Sequence, residues 1–210
     1  MPTFRETKAF GITGSIVLIA GGIGFGDNVP SLIALLLGLV LLLVTAKYLT
    51  ELTRNDDIYK NMQFSIVFSI LALIVGYLVV FAGLRSVINL GSALSFADFA
   101  GSIGNLAIGL LVVWLLFIAA GIFGRRSLYA IASNLREDRF RLAGRLLLVG
   151  AVLIVLFAVG LILIFLAVTV QLIAFFSLPD EMPVRPQIDA WGKPLSSESE
   201  PAHKTRTPIK

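Results

Sequence analysis

Two pairs of adjacent carboxylates, Asp56/Asp57 and Glu137/Asp138, are the residues whose type could do general acid–base work. Adjacent helical positions such as Glu137 and Asp138 point apart, and no third group stands by to complete a catalytic set. The single histidine, His203, lies in a proline-rich C-terminal stretch, and cysteine is absent. Haem ligation, imidazole-bound or thiolate-bound metal and disulfides therefore find no ligands, and no cofactor is expected. The run Gly22-Ile-Gly-Phe-Gly-Asp27 resembles a phosphate loop in glycine spacing only, since it follows no strand and opens no βαβ unit. The expectation is a non-enzymatic protein. A lipid-modifying enzyme using the interfacial acids and neighbouring arginines is the distant alternative.

All 13 acidic residues lie outside the apolar runs of the chain, and no Lys, Arg or His lies within them. Buried ionisable groups are the usual mark of proton relays and ion-coupled transport, so neither is expected. Uncharged polar residues do occur at membrane depth: Thr13, Ser15, Thr45, Ser65, Ser69, Tyr77, Asn105, Thr169 and Gln171. Asn105 and Gln171 are the costliest of these to bury, which makes them candidates for interhelical polar contacts or, in the functional alternative, for lining a solute path. Small residues Ala93, Ala97, Gly101 and Gly109 recur with Asn105 at every fourth position, and Gly22-xxx-Gly26 has the same spacing. Such stripes let helix backbones meet where lipid offers no hydrophobic drive to associate, either within the chain or against another subunit.

The elements that must carry these residues are apolar helices. The hydrophobic fraction is 57% and the charged fraction 14%, against roughly 45–50% and about 25% for soluble domains. Runs extend over about 9–25, 30–46, 63–84, 99–123 and 146–178. The first follows Lys8 without a small-residue cleavage site and reads as a retained helix rather than a signal peptide. Gly26-Asp27-Asn28-Val29 is turn chemistry, so the first two runs form a helical hairpin, with Pro30 suited to a first helical turn. The last run would make a single helix of roughly 50 Å, against a hydrocarbon core of about 30 Å. A split near Gly160 gives two short helices, and hence six transmembrane helices in an all-α polytopic bundle. Five, with one long final span, is the alternative.

Charge placement orients this bundle. Of the 17 Lys and Arg residues, Arg85 alone falls opposite the rest in the six-helix arrangement. The positive-inside rule then puts the N-terminus, both charged loops and the C-terminus in the cytoplasm, as a multi-pass protein of the cell membrane. The connection after 99–123 carries Arg125, Arg126, Arg136, Arg139, Arg141 and Arg145, candidates for contacts with anionic lipid. Leu128, Ile131, Leu135 and Leu142 fall on one face there, which predicts an amphipathic helix at the cytoplasmic interface. The segments 48–64 and 129–146 echo one another, with Arg54/Asp56/Ile58/Lys60 answering Arg136/Asp138/Phe140 and Arg141 or Arg145, as tandem duplication of a helix–loop–helix unit would produce. Domain organisation is thus a transmembrane domain over 1–178 and a Pro-rich tail over 179–210 too poor in apolar residues to order itself.

The stretches ITGSIVLIAGGIG, LIALLLGLVLLLVTAKYL, NDDIYKNMQFSIV and above all RFRLAGRLLLVGAVLIVLFAVGLILIFLAVTVQLIAFFSL resemble the prokaryotic, largely archaeal membrane-protein family catalogued as domain of unknown function 996. The resemblance covers about residues 10 to 180 and implies a small polytopic membrane protein, with no catalytic residues to carry over. The functional expectation is a non-catalytic structural, accessory or assembly component of a membrane complex. Its partners would be membrane lipids and other membrane subunits, with no nucleic acid. The alternative is a transporter or channel for an uncharged or lipid-like solute, lined by Asn105, Gln171 and the serines of the third run.

Overall fold

Thr3 and Glu6 start the first helix by capping each other: the Glu6 N–H donates to Thr3 Oγ1 at 3.2 Å, and the Thr3 N–H donates to Glu6 Oε2 at 2.8 Å. The structure, a computed structural model, describes residues 3–24, 29–89, 96–156 and 158–180, without the side chains of 82–89, 96–103 and 158. Among these residues the elements are α1 (Phe4–Ile23), α2 (Val29–Thr53), α3 (Asp56–Asn89), α4 (Phe96–Leu135), α5 (Asp138–Leu153), a 3₁₀ turn (Ile154–Leu156) and α6 (Ala158–Ser177). The chain is an all-α membrane helix bundle. Four helices hold spans long and apolar enough to cross a membrane, within Val29–Thr53, Asp56–Phe81, Gly104–Leu135 and Val159–Ser177. With α1 and the 16-residue α5 the helices number six among the described residues, and four of the six transmembrane helices that the sequence predicts hold such spans.

Three hairpins, α1/α2, α3/α4 and α5/α6, are arranged so that α2 lies beside α3, α4 beside α5, and α6 returns to α1. Backbone proximity holds the first hairpin together. A Cβ on Gly38 would come within 2.7 Å of Leu18 N, and one on Gly21 would strike the backbone of Leu35. Side-chain hydrogen bonds join the second: Ser65 Oγ donates to the Ala120 carbonyl at 2.8 Å and Ser127 Oγ to the Ile58 carbonyl at 2.9 Å. At 1.5 Å per residue α3 is about 51 Å long and α4 about 60 Å, so this hairpin outruns a hydrocarbon core of about 30 Å.

The long final run does reverse, as the six-helix arrangement requires. The reversal is the 3₁₀ turn at Ile154–Leu156 rather than Gly160, which lies inside α6. Gly160 serves closeness instead. A Cβ there would lie 2.5 Å from Ile154 N and 2.7 Å from Leu153 C, so only glycine lets α6 pass the end of α5. Trp114 Nε1 donates to the Val152 carbonyl at 2.9 Å, meeting an acceptor at the end of α5.

The interfacial helix expected after the fourth run does not form as a separate element. α4 continues unbroken through Arg125 and Arg126 to Leu135, because Leu128, Ile131 and Leu135 bury their face in the bundle core. Leu142 belongs to α5 and is exposed. From residue 181 the Pro-rich segment lies outside the described residues, as do Gly26, Asp27 and Asn28 of the expected 26–29 turn, whose last residue, Val29, opens α2.

Candidate functional site

Basic residues gather at one end of the bundle. Lys8 Nζ donates to the Leu178 carbonyl at 2.6 Å and pairs with Asp180 at 3.0 Å, which fastens the start of α1 to the end of α6. The α2–α3 and α4–α5 turns lie at that same end, joined through Ser127 to Ile58 and through Phe140 against Phe175, whose ring centroids are 5.0 Å apart. The Lys8 ammonium holds the exposed Asp180 carboxyl below its ordinary pKa, first by hydrogen bonding and then by charge.

The six candidate arginines are all exposed, and they divide into groups. Arg125 lies over the Tyr129 ring, 5.0 Å from its centroid, and Arg145 Nε donates to the Tyr129 hydroxyl at 2.9 Å. Arg126 sits 5.9 Å from the Phe123 centroid. Arg139 pairs with Glu137 at 3.6 Å and Arg141 with Asp138 at 3.1 Å. Both acids of the Glu137/Asp138 pair are thus engaged by cations, while Asp56 and Asp57 open α3. The Arg125–Tyr129 spacing of four residues is a helical-face signal already present in the sequence.

Between the helices lies a cavity of about 680 Å³, to which all six contribute. That volume is within the roughly 300–1,000 Å³ of small-molecule sites. Leu42, Met62, Leu128 and Gln171 line its closed end, toward the basic side, and all are buried. Gly22, Leu161 and Ile162 line the other end and are exposed. A Cβ on Gly22 would meet nothing within 4 Å, so this glycine borders open space instead of packing against a helix. The lining is mostly Leu, Ile, Phe and Val, with Ser65, Ser69 and Gln171 as its polar side chains. No ionisable residue among those described lines it.

Gln171 is only 6% exposed as a residue, but among the described residues no buried side-chain polar atom lacks a partner, so its amide, which no described side chain engages, is open to the cavity rather than sealed in the core. It does not bond across helices as the sequence predicts; Ser65 and Ser127 do. Asn105 is exposed on α4, away from the cavity, so Gln171 and the α3 serines come together without it. Of the small-residue stripe, Gly109 packs tightly, with its would-be Cβ 2.7 Å from Val79 Cγ2; the side chains of Ala97 and Gly101 lie outside the described residues. On α1, Gly11 meets the Phe175 ring of α6, while the close contact with α2 belongs to Gly14 and Gly21 rather than Gly22. Their spacing of seven, two helical turns on one face, is the signal that would have found them.

A model of the family described as "Protein of unknown function (DUF996)" matches residues 34–169, from within α2 to within α6. An uncharacterised protein of Methanocaldococcus jannaschii is 27% identical over 166 residues, spanning 77% of this chain and 91% of its own length. No solved structure matches.

Proposed function

Since the chain belongs to the DUF996 family of proteins of unknown function, which brings no activity to carry over, we propose a role from the cavity: a non-catalytic, multi-pass membrane protein that takes up an uncharged, lipid-like solute between its helices. The observation that carries this reading is the Gln171 amide, which no described side chain engages and which is open to an apolar chamber lined by every described helix. A packing component has no need of such a chamber, because vacant space forfeits contacts on every wall. Of the small residues that could meet a partner subunit, Gly109 is packed inside the chain, and the close contacts of Gly14, Gly21 and Gly38 are also made within it. The positive-inside rule places the basic end in the cytoplasm in this reading.

The test is to extract purified full-length protein with organic solvent and weigh what comes out. About one uncharged lipid-like molecule per chain is expected, and it should be lost from Ser69→Phe, which fills the cavity. The same trace lipids in both proteins would sink the proposal.

An accessory role in a larger complex has one observation in its favour. Tyr77, Leu78 and Phe81 on α3, with Ile108 and Leu111 on α4, form an exposed flank on the hairpin that outruns its neighbours. A second protein retained through mild detergent purification, and released by Tyr77→Ala with Ile108→Ala, would support it. Recovery of the chain alone would count against it.

A further inference from the structure

Gln171 and the shape of the cavity together specify the ligand, provided that the cavity is a solute site as proposed above. We infer that Gln171 is a polar anchor selecting molecules with one uncharged hydroxyl or carbonyl oxygen at the end of an apolar body. The amide offers two donors and an acceptor, and no side chain of the described residues engages them. Of the other polar side chains that line the cavity, Ser65 has committed its proton to the Ala120 carbonyl, and Ser69 offers a single hydroxyl where the Gln171 amide offers two donors and an acceptor. A charged head is excluded because no ionisable side chain lines the chamber to meet it, and a charge without a counter-charge in apolar surroundings is strongly disfavoured. A molecule with several polar groups is disfavoured for the same reason, since beyond Gln171 and the two serines the described walls are almost wholly aliphatic and aromatic carbon.

Polarity is confined to the closed part, so the head goes in first. Gln171 stands ten residues along α6 from Leu161 at the exposed end, which is about 15 Å of helix. The apolar body lies along that distance, with its tail emerging beside Gly22, where nothing obstructs it. Gln171 is thus a specificity determinant: it separates an alcohol or ketone from the alkane of equal length.

Two photoreactive probes test this on the full chain in phosphatidylcholine nanodiscs. Both are ten-carbon chains with a mid-chain diazirine, and they differ only in ending in a hydroxyl or a methyl group. Both are expected to label cavity residues such as Leu39, Leu73 and Phe165, with the alcohol half-saturating at about fivefold lower concentration, the usual worth of one net hydrogen bond. Gln171→Leu should bring the two probes to the same half-saturation while the alkane still labels the cavity, which also shows that the variant is folded. Ser69→Phe should abolish cavity labelling by both. Equal half-saturation in the unaltered protein, or an alcohol preference that survives Gln171→Leu, overturns the anchor and leaves the cavity reading standing. Labelling confined to outward residues such as Ile108 and Leu111, and indifferent to Ser69→Phe, overturns both.

Discussion

Arg54 and Arg136 occupy the same place in two separate turns, with left-handed φ angles of 53° and 55°. Each follows the last residue of a helix and precedes one residue outside any helix, Asn55 or Glu137, whose carbonyl accepts from the N–H of Ile58 or Phe140 at 3.3 Å. Ile58 and Phe140 are both 0% exposed. The echo between 48–64 and 129–146 is therefore also an echo of backbone geometry: each turn drives one large apolar side chain into the core. Cationic residues at these helix C-termini complement the helix dipole as well.

A left-handed arginine is strained where glycine would not be. Arg54→Gly and Arg136→Gly are expected to leave the fold intact and to gain about 1 kcal/mol each, whereas the β-branched Arg136→Val should lose at least that much. Thermal unfolding in detergent checks this, and a loss on both glycine substitutions would mean that the guanidinium groups stabilise the turns by more than the strain they impose.

Gly160 admits no side chain, because the obstructing atoms are backbone of Leu153 and Ile154. Gly160→Ala is expected to cost about 3 kcal/mol, the upper end for an added methyl in a packed site. Reporter fusions after Leu178 would show whether the hairpin still reverses. Unchanged stability with unchanged topology would contradict this account of the α5–α6 turn.

Asp180 has its pKa depressed by Lys8, so its contribution is present above the unfolded-state value of about 3.9 and fades as the pH falls through the lower folded value. Fastening of α6 to α1 should accordingly be constant at neutral pH and weaken in acid. Asp180→Asn should remove that acid-dependent component, and spin labels near residues 8 and 178 would report the separation of the two ends. An identical acid response in the variant would assign the effect to another group.

Ser127 and Asn105 separate polar residues that work from polar residues that merely occur. Ser127→Ala removes a buried interhelical hydrogen bond and is expected to cost about 1 kcal/mol. Asn105→Leu alters an exposed position and should stay within about 0.5 kcal/mol. Chemical unfolding in mixed micelles distinguishes them, and the reverse order would contradict the packing described for α3 and α4.

Composition and charge by themselves determined the class of the molecule and the collection of basic residues at one end, and they favoured six helices with a reversal in the last run over five, because each follows from properties summed along the chain: apolar length against bilayer thickness, and Lys/Arg counts per connection. The Arg54/Arg136 correspondence was legible too, since turn chemistry is local. Which polar side chain meets which was not. Asn105 and Gln171 look alike in sequence, yet α4 presents one outward while α6 presents the other to the cavity, and Ser127 becomes an interhelical donor only because α4 continues past its arginines. Only the tertiary structure decided these points: a helix's rotation about its own axis is set by backbone contacts such as Gly21 with Leu35 and Gly38 with Leu18, and those contacts are made between separate helices rather than within any one of them.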